Sequence, residues 1–145
     1  MPRLRNPKRR RPRPAPFALS EKDIWPGCRE IEVVGELDLA VSHRLQAAIE
    51  RATEERHHVL VDLSHCDFID ASALTVLVQG HQGLQEHGRQ LLLYGVRGQV
   101  RCLLSITGVT ETGLMATTTT PGAPPALWSD RLGTNGAGRA RVAAA

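Results

Sequence analysis

Between Phe17 and Met115 the apolar residues recur with the periods of strands and helices. Phe17 to Ser20 reads as a short first edge strand and Ile31 to Val34 as a second, paired antiparallel around the turn signal Pro26-Gly27. Val41, Leu45, Ala48, Ile49 and Ala52 then fall at spacings of three and four, which predicts a helix with Ser42, Arg44, Gln46 and Glu50 turned outward. His58 to Leu63 is a compact β-branched run suited to a buried central strand. After a link at Ser64 to Asp67 comes the longest periodic segment, Ala71 to His87, with Leu74, Leu77, Val78, His81, Leu84 and Gln85 on one side and Gly88 as its stop. Gln90 to Tyr94 predicts another strand, Arg97 to Ser105 a helix closed by Gly108, and the residues near Gly113 to Ala116 a last short strand.

The order β-β-α-β-α-β-α(-β) calls for an α/β fold: a small mixed or mainly parallel sheet covered by helices. The domain is expected to span residues 16–116. Residues 1–15 hold seven of the eighteen Lys and Arg, no Asp or Glu and several prolines, and read as a disordered basic tail. Residues 117–145 are rich in Thr, Pro, Gly and Ala, with Leu127, Trp128, Leu132 and Val142 as scattered large apolar groups; they too read as a disordered tail.

Charge sharpens this division. From Glu21 to Met115 there are fourteen acidic and eight basic residues, so the folded part carries a net −6 inside a chain of net +3. An acidic domain without interleaved aromatic and basic residues gives no reason to expect direct nucleic-acid binding. Cys28, Cys66 and Cys102 are odd in number and widely spaced, which fits a reducing compartment. No apolar stretch approaches the length of a membrane span. The expectation is a cytoplasmic protein without membrane insertion. His57, His58 and His65 would hold a metal only if Cys66 or a carboxylate converged with them, and adjacent strand residues send their rings to opposite faces. Neither a phosphate-cradling Gly-Lys loop nor a nucleophile elbow is present. The chain is expected to act by binding, with no catalytic residues, no cofactor and no metal.

One helix start carries the candidate chemistry. Asp70 is placed to cap the helix that follows, which puts Ser72 in its first turn. On a wheel of 100° per residue Ser72 lies about 160° from Leu74, with Val76 and Gln79 at about 200° and 140°, all on the expected outer face. A hydroxyl there meets the free amides and the positive end of the helix dipole. On spacing alone a first-turn serine is equally an ordinary surface residue, and Asp38 equally the N-cap of the first helix.

Gly35-Glu36-Leu37-Asp38 before a helix, a strand ending in Asp62-Leu63, then Phe68-Ile69-Asp70-Ala71-Ser72-Ala73-Leu74, Gly88, Leu91 to Tyr94 and Thr107-Gly108-Val109 together resemble the STAS family of bacterial anti-sigma factor antagonists. The resemblance implies a small mixed sheet with helices against it and partner switching with an anti-sigma factor that has serine kinase activity. It matches Ser72 to the phosphorylated serine and Asp38 and Asp70 to the aspartates beside it. Asp38, Asp70, Ala73, Val76 and Gln79 are the expected partner-binding residues. Ala73 stands where the family usually has glycine, a methyl group that would crowd an approaching kinase. The alternative that the resemblance leaves open is a non-phosphorylated STAS adaptor subunit of a lipid-transport or larger signalling complex.

Overall fold

The computed structural model describes residues 15–108 and 115–117. The expectations for the two tails fall almost wholly outside those residues. Eight elements follow one another: β1 (Ala18–Trp25), β2 (Cys28–Leu37), α1 (Ser42–Glu54), β3 (His58–Ile69), α2 (Ala71–Glu86), β4 (Leu91–Tyr94), α3 (Gly98–Thr107) and β5 (Met115–Thr117). The sheet order is β1-β2-β3-β4-β5, antiparallel between β1 and β2 and parallel thereafter. This is the α/β fold with the mixed sheet and element order that the periodicity predicts.

The first two strands are longer than their apolar centres suggest. Edge strand β1 carries Glu21, Lys22 and Asp23 in the open, so its polar half gives no alternating signal. The tip of this hairpin is tied to the C-terminal end of α1 by Arg29, whose buried guanidinium reaches Asp23 at 2.8 Å and also Glu55, the C-cap. The expected link at Ser64 to Asp67 is instead the continuation of β3, which pairs with β2 as far as Ile69 through two register shifts. Those irregularities allow the polar residues Ser64, His65 and Asp67 to stand at the strand's outer end without breaking the ladder.

All three helices feed one core cluster, which includes Ile31, Val33, Leu45, Ile49, Val59, Val61, Leu77, Leu84, Leu91, Leu93, Val100 and Leu104. Helix α2 is buried on two flanks. Leu74, Leu77, His81 and Leu84 form the flank that the sequence predicts. The second is made by Ala73, Val76 and Gly80, again at spacings of three and four, where α1 lies alongside. A Cβ on Gly80 would stand 2.8 Å from Ile49 Cγ2, so the missing side chain is what lets α1 approach. Val76 is accordingly 9% exposed and belongs to the core. Its expected outward position is wrong because a wheel finds the densest apolar stripe and not a second flank made of small residues. Gln85, placed on the buried side by the same wheel, is exposed. Helix α3 ends at Gly108 in the left-handed conformation, as its glycine predicts.

Candidate functional site

Strands β2 and β3 run parallel, so Leu37 and Ile69 finish side by side at the same end of the sheet and deliver two helix starts to one place. The backbone N–H of Asp70 donates to the Leu37 carbonyl at 3.2 Å, closing that end. Asp70 itself is extended and is the N-cap of α2. Its Oδ1 accepts from the Ala73 amide at 3.0 Å and from the Ser72 hydroxyl at 2.5 Å, while its Oδ2 accepts from the Leu39 amide at 2.9 Å. One carboxylate thus caps α2, orients the serine and holds the loop that leads into α1. The Ser72 hydroxyl bond is the main reason that Asp70 is held below the usual carboxylate range; the amides of Ala73, Leu39 and Ser72 add to it.

Asp38 has a different local role from the one expected of it. The N-cap position of α1 is Val41, which has no side-chain cap. Asp38 Oδ1 accepts from the Ala40 amide at 3.0 Å, and its carbonyl accepts from the Ser42 amide at 2.9 Å. The aspartate therefore folds the loop back on itself and presents Leu39, which is 73% exposed. Leu39 is absent from the sequence-derived site: it is out of phase with α1, and only an apolar residue wedged between Asp38 and the helix hinted at it. Phe68, at the outer end of β3 two residues before Asp70, is also exposed.

The structure brings Asp38, Asp70 and Ser72 to one edge, with Gln79 exposed farther along α2. It does not bring Ala73 or Val76 to that surface. The Ala73 side chain is fully buried, so its methyl points into the core and leaves the approach to Ser72 open. Neither side chain stands outward as the wheel predicts: Ala73 is fully buried and Val76 is 9% exposed, beneath the surface that carries Ser72. Ser72 is half-buried, less exposed than its wheel position suggested, because its hydroxyl turns back onto Asp70.

The three histidines His57, His58 and His65 each have a local hydrogen-bond partner. His58 Nδ1 accepts from the Gln90 amide at 3.1 Å, His57 Nδ1 lies 3.0 Å from the Glu55 carbonyl, and His65 Nδ1 lies 3.1 Å from Ser64 Oγ. Among the described residues no helix is long and apolar enough to cross a membrane.

Residues 21–120 match the model of the STAS domain family. The chain belongs to the STAS domain family. Its relatives include the anti-sigma-B factor antagonist of Listeria monocytogenes, 28% identical over 83 residues that make up 57% of this chain and 73% of that protein. An anti-sigma factor antagonist from Mycobacterium paratuberculosis superposes with a TM-score of 0.64 at 21% identity, over 72% of this chain and 90% of that one. The anti-sigma factor antagonist SpoIIAA in its unphosphorylated form gives 0.62 at 16% identity, over 81% of this STAS chain and all of that one. The phosphorylated form of SpoIIAA, a Bacillus cell fate determinant, gives 0.58 at 17%, over 79% and 99%. At these identities the superpositions establish the shared fold.

Proposed function

We propose that this STAS protein is an anti-sigma factor antagonist, that its partner is an anti-sigma factor with serine kinase activity, and that phosphorylation of Ser72 ends the complex. The observation that carries the reading is the Ser72–Asp70–Leu39 linkage. A serine hydroxyl at a helix start shares one carboxylate with the loop that exposes a large apolar side chain. The relatives support it: antagonists share this fold, and SpoIIAA exists in both phosphorylation states.

The switch follows from the hydrogen bond. In the unmodified protein Ser72 Oγ–H donates to Asp70, leaving the surface around Leu39, Phe68, Asp38 and Gln79 free of a dianion. The kinase would transfer the γ-phosphoryl group of ATP to Oγ, releasing ADP and the hydroxyl proton. The oxygen then has no proton to donate, and a group of about −1.5 to −2 charge stands beside the Asp70 carboxylate. Repulsion turns the phosphate outward, into the surface that met the partner. Desolvating it there costs more than the complex gains, and no refolding is required.

Incubation of the full chain with a purified kinase of this class and Mg-ATP, read by intact mass, tests the proposal. One phosphoryl group should be gained by the unsubstituted protein and none by Ser72→Ala. Ser72→Asp should bind the kinase at least about tenfold more weakly, or about 1.4 kcal/mol. A gain that persists in Ser72→Ala would move the site to Ser64 or Thr75. No gain in either, with stable binding, would favour the non-phosphorylated adaptor.

A further inference from the structure

Beyond Asp62 strand β3 runs past β4, whose last paired residue is Tyr94. Ile69, the last residue of β3, turns its N–H and C=O toward that open side, because the next amide, that of Asp70, points the other way to the Leu37 carbonyl of β2. The start of α3 fills the gap. Gln99 Oε1 accepts from the Ile69 amide at 3.2 Å, and Gln99 Nε2 donates to the Ile69 carbonyl at 3.2 Å. A carboxamide carries an acceptor and a donor side by side in one plane, so this one side chain stands in for a neighbouring strand. Arg97 and Asp67, 3.5 Å apart, tie the same two segments a second time.

The peptide group that joins Ile69 to Asp70 is thereby gripped at both ends, its carbonyl by Gln99 and its N–H by Leu37. The plane of that group fixes the direction in which Asp70 leaves the strand. Asp70 in turn caps α2 and holds both the Ser72 hydroxyl and the Leu39 amide. We propose that Gln99 is a positioning residue for Ser72: by holding the Ile69–Asp70 peptide it aims the Asp70 carboxylate, and so sets the serine hydroxyl for phosphoryl transfer. The effect on phosphorylation rests on the function proposed above, whereas the effect on Asp70 does not. Gln99 is exposed, so in its absence water reaches the two Ile69 groups. Water meets their hydrogen-bonding need without fixing the plane, and the loss falls on the aim of Asp70 more than on folding.

Carboxyl 13C NMR on the full chain measures the aim directly. The Ser72 hydroxyl is the main cause that holds Asp70 below its ordinary 3.8, so in Gln99→Ala the Asp70 titration should move up toward that value. Val100→Ala is the control. Val100 is fully buried in the same turn of α3, and truncating it loosens the helix while keeping the carboxamide. It should lower the urea midpoint further than Gln99→Ala does, yet leave the Asp70 titration in place. With a purified anti-sigma serine kinase and Mg-ATP, Gln99→Ala should lower kcat for Ser72 at least about tenfold. Gln99→Met keeps the length of the side chain and lacks both bonds; it should repeat each result, and it decides them should Gln99→Ala fail to fold. An Asp70 titration unmoved in the Gln99 variants, or moved equally in Val100→Ala, would overturn the proposal, as would an unchanged kcat. Should the unsubstituted chain itself gain no phosphoryl group, the function proposed above fails by itself and the Asp70 titration alone judges Gln99.

Discussion

His81 is a liability in the core of this protein, and replacing it by leucine should make the protein more stable. The imidazole sits on the sheet-facing flank of α2 at 2% exposure, and neither ring nitrogen has a hydrogen-bond partner. Burying an unsatisfied polar group costs about 1 to 3 kcal/mol. Leucine is close in volume and apolar, and the repacking it demands costs less than about 1.5 kcal/mol. His81→Leu should therefore gain about 1 kcal/mol by urea unfolding at pH 8, a relieved penalty of about 2 less about 1 for repacking. The pH dependence gives an independent test. Burial lowers the His81 pKa from its ordinary value of 6.5. Below pH 6.5 the unfolded chain takes up a proton that the folded chain refuses, so stability that is complete above that pH is lost as the pH falls toward the folded value. The loss runs at up to about 1.4 kcal/mol per pH unit. Leucine has no such term, and the advantage of the variant should widen between pH 6.5 and pH 5. A variant less stable than the original at pH 8, or a gap that stays constant on acidification, would refute the reasoning.

Val76→Glu should destabilise by at least about 2 kcal/mol, because it places a charge in the α1–α2 contact; Glu50 and Glu54 line the same groove and repel it. A urea midpoint equal to that of the unsubstituted protein would mean Val76 is not in the core. Asp70→Ala should cost about 1 to 2 kcal/mol at pH 7 as a lost N-cap. The pKa of Asp70 is lowered in the fold, so its ionic contribution is present above the ordinary value of 3.8 and fades as the pH falls below it. The difference between the variant and the original should shrink between pH 7 and pH 3 in paired melts. Leu39→Ser should leave the melt within about 0.5 kcal/mol, since the side chain is exposed, yet weaken binding to an anti-sigma kinase by about tenfold in a titration.

Sequence by itself determined the order of elements, because each helix and each central strand here has a buried face written at its own period. Val41 to Ala52 and Leu74 to Leu84 at three and four, and the unbroken runs from His58 and from Gln90, leave no other assignment. It also determined where α3 stops, since only Gly108 adopts the left-handed conformation at no steric cost, and it pointed to Asp70 as the cap, since a carboxylate before a helix has free amides to accept from. Periodicity reports one neighbour at a time, however. That α2 has two buried flanks depends on α1 lying beside it, where Ile49 comes against Gly80. The outer half of β1 carries no apolar signal because β1 is an edge strand, and the signal of β3 breaks beyond Leu63 because there the strand runs past β4 and pairs with β2 alone. The tertiary structure alone joined Leu39 to Asp70 across thirty-one positions. Parallel pairing of β2 with β3 ends both strands at one edge, and a single carboxylate can then tie two loops that the sequence keeps far apart.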